Sequence, residues 1–181
     1  MKREFLLLYL TCALVPSLRA IQFTPLSIEQ LTRESALVVR GTVLSKSCQR
    51  DSAGRIFTKV ELEVAEVWKG TLLTNRFTVV HGGGILGDRK ATVSGQVEYG
   101  IGEEVVAFLV LNQRGEGVTI GLAQGKFQIT LEAGTGERLA HNLFYGESAP
   151  RSQNVSVPDR LPTRRRLTLA ELKRLVRGES R

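Results

Sequence analysis

The chain has 181 residues with 25 Lys and Arg against 18 Asp and Glu, a net charge of +7, and only 2 Cys and 2 His. The charge is uneven, because residues 21–150 carry 13 basic against 14 acidic side chains while residues 151–181 carry 9 against 3. A body with no basic excess of its own argues against nucleic-acid binding, and so few Cys and His argue against a disulfide-stapled or zinc-built module.

Lys2 and Arg3 precede an apolar run from Phe5 to Val15, and Pro16-Ser17-Leu18-Arg19-Ala20 gives a small-residue exit. This is the layout of a secretory signal over residues 1–20, with the mature chain starting near Ile21. The run is well short of the roughly twenty residues a membrane-crossing helix needs, and no later segment is longer. The expectation is an exported protein without a transmembrane segment, periplasmic or extracellular. Cys12 leaves with the signal, since Tyr9-Leu10-Thr11 makes a poor lipobox, and Cys48 remains unpaired. The remainder is long enough for one domain with a core and too short for two. It divides into a β-domain over residues 21–145, a linker over residues 146–163 containing Pro150, Pro158 and Pro162, and a basic helix over residues 164–181.

In chain order, Ser27 and Gln30 form a capping box that starts a short helix ending near Ser35, with Leu26 placed to pack on Leu31. Leu37–Leu44 is β-branched and reads as the first strand. Asp51-Ser52-Ala53-Gly54 supplies a turn. Ile56–Val67 then alternates apolar and polar residues, with a phase slip near Ala65-Glu66 that predicts a bulge or bend. Phe77–Val80, Val105–Leu111, Val118–Gly121, Gly125–Leu131 and Glu137–Ala140 complete the strands. In the tail, Thr168 and Glu171 form a second capping box, and Leu172, Leu175 and Val176 make a narrow apolar stripe on a helix too short to stand alone. That helix must dock, meet a partner or stay unfolded. The expected core is Leu37, Val39, Val43, Val60, Leu62, Val64, Phe77, Val79, Val106, Phe108, Val110, Ile120, Phe127 and Ile129.

The motifs invite chemistry and mostly refuse it. His81-Gly82-Gly83-Gly84 after a strand resembles the oxyanion segment of lipase-type esterases, yet no Gly-x-Ser-x-Gly elbow occurs. Gly82, Gly84 and Gly87 match a dinucleotide spacing, but Ala91–Gly95 does not read as the helix such a loop must open. His81 and His141 lack metal-ligand spacing, so neither a metal nor a cofactor is expected. Glu61 and Glu63 share the strand face opposite the apolar residues, and with Glu66 they read as solvated carboxylates. Asn154-Val155-Ser156 is a glycosylation acceptor in a eukaryotic host. What survives is a flexible glycine loop over residues 82–101, whose His81, Gly82, Gly83, Gly84, Gly87, Asp88 and Arg89 form a candidate contact surface. Arg164, Arg165 and Arg166 form a second one, suited to an anionic surface or to processing.

The order of the helix, Ala36–Val43, Gly54–Thr58, Val64–Gly70 and Gly102–Leu109 resembles a group of small exported bacterial proteins without assigned activity, some encoded near matrixin-type secreted metalloproteases. The strand exit at Val67-Trp68-Lys69-Gly70 is similar, more faintly, to the barrel of tissue inhibitors of metalloproteinases and netrin modules. Those inhibitors chelate zinc through an amino-terminal cysteine that this chain lacks, so the resemblance implies the fold and not that mechanism. The resulting expectation is an all-β, mainly antiparallel, five- to seven-stranded OB-like barrel with a short N-terminal helix and a C-terminal helix. Its expected role is a non-enzymatic binding module for a protein partner, a secreted protease among the candidates. The alternatives are a hydrolase built on His81 with Asp88 and Ser94, and an envelope component with a basic tail.

Overall fold

A computed structural model of the protein describes residues 25–146 and 166–179. The expected signal, Cys12, Asn154, Arg164, Arg165 and residues 147–163 of the linker lie outside the described residues.

Helix α1, Ile28–Glu34, begins as its sequence requires: the Ser27 Oγ accepts from the Gln30 amide at 3.1 Å and the Gln30 side chain returns a bond to the Ser27 amide at 2.7 Å. It stops where Ser35 turns extended, and Lys69 Nζ donates to the terminal carbonyls of Thr32 and Arg33 at 2.6 and 3.2 Å. Ile28 and Leu31 are buried beneath it.

The sheet is built from β1 (Leu37–Arg50), β2 (Ile56–Lys69), β3 (Arg76–Gly82), β6 (Glu104–Leu111), β7 (Gly117–Thr119), β8 (Lys126–Leu131) and β9 (Arg138–His141). A separate two-stranded sheet pairs β4 (Gly84–Leu86) with β5 (Arg89–Ala91). The large sheet runs β1-β2-β3-β7-β6-β8-β9, and β1 also pairs with β6, so the first five strands form a cycle of neighbours. All of its pairings are antiparallel except one: β3 meets β7 in parallel, at Val79 opposite Gly117. The sheet is therefore mixed. The phase slip of β2 is a register shift, with Arg40 opposite Glu66 and Gly41 opposite Val64, leaving Ala65 unpaired. Gly41 is required there, because a Cβ would lie 2.5 Å from the Glu63 carbonyl oxygen.

Three expectations need correction. The glycine loop contains a hairpin, Gly84 opposite Ala91 and Leu86 opposite Arg89, closed by Gly87-Asp88 with φ +62° at Gly87. The first strand continues to Arg50 because β2 pairs with it along its whole exposed half. The strand expected over Val118–Gly121 ends at Thr119, since Gly121 and Leu122 both adopt left-handed φ, +60° and +59°, and start a 3-10 turn over Leu122–Gly125.

The core has two layers. Leu37, Val39, Val43, Val60, Leu62, Val79, Val105, Ala107 and Leu109 fill the space within the five-strand cycle, joined by Val97 and Tyr99 from the segment before β6. Val38, Trp68, Val106, Phe108, Ile120, Phe127 and Ile129 form a second layer beneath α1 and a tail helix, α2 (Leu169–Arg177). Val110, expected in the core, is 38 % exposed because it lies near the end of β6, past the layer that covers Phe108. The tail helix docks: Leu172 and Val176 are buried, Thr168 Oγ1 accepts from the Glu171 amide, and Gly178 ends the helix with φ +67°. Just before it, Leu139 bridges Thr168, the Ala140 amide donates to the Leu167 carbonyl at 2.9 Å, and Arg166 pairs with Glu132 and Glu137 at 2.6 Å. No helix among the described residues is long and apolar enough to cross a membrane.

Candidate functional site

The glycines after His81 are shaped by packing. Gly83 and Gly84 take φ of +78° and +133°, and a Cβ on Gly84 would sit 2.5 Å from Thr58 Oγ1 and 2.6 Å from Cys48 Sγ. Thr58 Oγ1 donates to the Gly83 carbonyl at 2.8 Å, and the Gly83 amide donates to the Ile56 carbonyl at 2.9 Å. The Gly83 amide, already donating to a carbonyl, is not free to donate to a developing oxyanion, which counts against the esterase likeness. Asp88 and Arg89 are exposed at the hairpin tip, and no hydrogen bond joins His81 to Asp88 or Ser94.

His81 does something else. Its Nδ1 lies 3.0 Å from the Gly82 carbonyl oxygen, and its ring stacks on Tyr99 with centroids 6.4 Å apart and planes 22° apart. Tyr99 is fully buried and shares a 2.7 Å hydrogen bond with Thr119 Oγ1 on β7. Burial pushes its phenol pKa upward, with the Thr119 bond opposing and the Glu103 charge adding to the rise. Lys126 Nζ stands 5.0 Å from the ring centroid and donates to Glu103 and to the Glu98 carbonyl, both at 2.5 Å. Tyr99 thus touches both β3 and β7 beyond their single parallel bridge, through His81 and Thr119.

A cleft of about 350 Å³ opens at this seam. Val80, His81 and Gly82 of β3 line one side, Val118 and Thr119 of β7 another, and Phe57, Gln96, Arg114 and Leu122 complete it. The β1–β2 turn closes one end through Asp51 and Arg55, whose carboxylate and guanidinium meet at 2.7 Å. Backbone and side-chain bonds from Arg55 lower the Asp51 pKa. The β6–β7 turn closes another through Glu116, which Lys59 holds at 2.8 Å and keeps below the usual carboxylate range. A second groove of about 570 Å³ runs on from the shared Asp51, Arg55, Phe57 and Gly82 to Ala91 and Val93 under the hairpin.

The candidate residues therefore fall in different places. His81 and Gly82 line the cleft and Gly83 its continuation, whereas Asp88 and Arg89 stand at the exposed tip. Arg166 is engaged with two carboxylates of the β8–β9 turn. No motif in the sequence marks Tyr99, Arg114 or Leu122 as a site residue. Two consecutive left-handed residues at Gly121 and Leu122 were foreshadowed only by the glycine, and left-handed φ at a bulky residue is strained backbone.

Glu66 is also not a solvated carboxylate. It accepts from Lys173 at 2.5 Å and Trp68 Nε1 at 3.0 Å and pairs with Arg40 at 2.8 Å, while Arg40 reaches Glu104 at 2.5 Å. The Lys173 bond, followed by Trp68 and Arg40 against the opposing effect of burial, brings its pKa down to about 2. This network fastens α2 to the sheet. His141 is buried with its Nδ1 lacking a hydrogen-bond partner, and burial, reinforced by Lys126, lowers its pKa. No group of three or more His, Cys, Asp or Glu among the described residues could hold a metal ion. No protein-family model matches the chain, and a search of curated proteins returns no match.

Proposed function

We propose that the protein is an exported binding module without catalytic turnover, which holds a protein partner through the seam cleft and the glycine hairpin beside it. We read the five-strand cycle as a small OB-like barrel, the architecture implied by the resemblance to small exported bacterial proteins and to the netrin-type barrel. The observation that carries the functional reading is the cleft itself. It lies between the β1–β2 turn and the β6–β7 turn, at the end of the strand cycle where loops converge on one face. In OB-type barrels the corresponding loops surround the ligand face. Its lining sets the apolar side chains of Phe57, Val80, Val118 and Leu122 among eight polar or charged residues. The reading without catalysis is supported by the Gly83 amide being spent on Ile56 and by His81 lacking an orienting carboxylate.

The supporting pattern in the sequence for export is the positive start, short apolar run and small-residue exit over residues 1–20. The partner would then be met in the periplasm or outside the cell, and a secreted protease is the class the resemblance suggests.

The test places a photo-reactive residue at Arg89, on the hairpin tip, or at Glu179, beyond the tail helix, of the full mature chain in its own exported fraction. One discrete adduct from position 89 and none from position 179 is the expected result. Equal labelling from both positions, or none from either, overturns the reading.

A further inference from the structure

We infer that the seam cleft takes a short extended peptide strand, which adds to the open edges of β3 and β7 and presents an acidic side chain to Arg114. The inference rests on the binding reading above and names the chemistry of its ligand.

The first observation is where pairing stops. β3 and β7 are bridged only at Val79 and Gly117, yet β3 continues through Val80, His81 and Gly82 and β7 through Val118 and Thr119, and all five line the cleft. In an antiparallel ladder such as β2–β3, alternate residues direct their amide and carbonyl to the partner and the intervening ones direct theirs to the other side. On the far side of β3 beyond Val79 that other side is the cleft. Polar backbone at a concave edge is satisfied either by water or by an added strand, and main-chain bonding of this kind is what extended peptides supply.

A second observation is that buried Tyr99 contacts both strands where their pairing has stopped, stacked on His81 of β3 and bonded to Thr119 of β7. The strained Leu122 stands at the cleft wall, where backbone strain retained in a fold points to a ligand-contacting role.

Charge selects the occupant. Asp51 is neutralised by Arg55, and Glu116 is paired with Lys59, which stands outside the cleft lining, whereas Arg114 forms no ion pair among the described residues although its charge also acts on Glu116. With Lys59 counted beside the lining, the local balance is one positive charge, carried by Arg114. Phe57, Val80, Val118 and Leu122 offer apolar contact beside it, matching a strand with apolar residues around one carboxylate.

The probe is a capped, fluorescein-labelled heptapeptide of alternating valine and threonine with one central aspartate, titrated into the full mature chain by anisotropy and by amide chemical shifts. Saturable binding is expected at up to about 1 mM peptide, with the largest shifts at Val80–Gly82 and Val118–Thr119. N-methylation of one alternate set of peptide amides weakens binding about ten-fold, while methylation of the other set changes it little. Replacing the aspartate by asparagine weakens binding several-fold in the parent and makes no difference in Arg114→Ala. Equal effects of the two methylation sets, absence of binding, or shifts centred on α2 overturn the inference, as does binding of a cellohexaose probe at these residues when the peptide does not bind. Crosslinking from position 89 that succeeds while every peptide fails leaves the binding reading standing and removes this one. Failure of both removes both.

Discussion

The two flanks of the β-structure are finished to different degrees. Beneath α1 and α2, Val106 and Phe108 pack against Leu31, Phe127 and Leu172, and charged groups above them are paired through Arg40, Glu66, Glu104 and Lys173. At the β3–β7 seam a single bridge joins the strands, and buried Tyr99 contacts both beyond it. Where apolar area is covered and polar groups are matched, the surface serves stability. Where a ladder ends early over a cleft, bonding capacity remains for another molecule.

Four measurements sharpen or break that contrast. The largest effect belongs to the covered flank: Phe108→Ala, at a fully buried ring 5.7 Å from that of Phe127, is expected to cost about 3–5 kcal/mol in urea unfolding. A loss below about 1 kcal/mol would mean that this layer does not hold the fold. Next comes Gly84→Ala, where left-handed strain joins a collision with Thr58 and Cys48. It is expected to cost about 2–3 kcal/mol, and a neutral result would show that the hairpin is not seated as described.

The pH response reports the charged network. Glu66 has a pKa depressed from 4.5 to about 2, so its contribution is present above 4.5 and is lost as pH falls toward 2. With the carboxylate 32 % exposed, solvent screening reduces that contribution to about 1–2 kcal/mol. His141 acts in the same direction at higher pH. Its lowered pKa means the unfolded chain takes up a proton first, so stability declines as pH drops below about 6.5. Glu66→Gln should be less stable than the parent at pH 7 and indistinguishable from it near pH 2, and a gap that persists at pH 2 would contradict the assignment. The smallest effect belongs to the seam: Tyr99→Phe strips the Thr119 hydroxyl of its partner and is expected to cost about 1–2 kcal/mol. Its hydrogen-exchange signature should be confined to β3 and β7, and faster exchange spread over α2 would show that the two flanks are one unit.

Much of the fold could be read along the chain because local chemistry was explicit. The Ser27–Gln30 box, the slip at Ala65 and the Thr168 cap each correspond to an observed feature. The sequence places Val106, Phe108 and Val110 of β6 in the expected core. Val105, Ala107 and Leu109, alternating with Val106 and Phe108, are buried as well, a property of a strand covered on both sides. The site was harder to read for a physical reason. Val97 and Tyr99 sit in a segment with no strand or helix periodicity, and they are buried only by packing on residues distant in sequence. His81 stands out in the sequence through a glycine string that serves packing, while its stacking on Tyr99 depends on tertiary structure.

The short bridge between Leu139 and Thr168 has a consequence for how copies of the protein treat one another. A terminal strand such as β9 presents a row of amides and carbonyls to any neighbouring chain, and that is the usual starting point of strand-to-strand aggregation. Here the molecule lays its own residues Arg166–Thr168 along that row, with Arg166 clamped to Glu132 and Glu137. The tail thereby works as a built-in chaperone for the last strand, and detaching it would convert a soluble edge into a template.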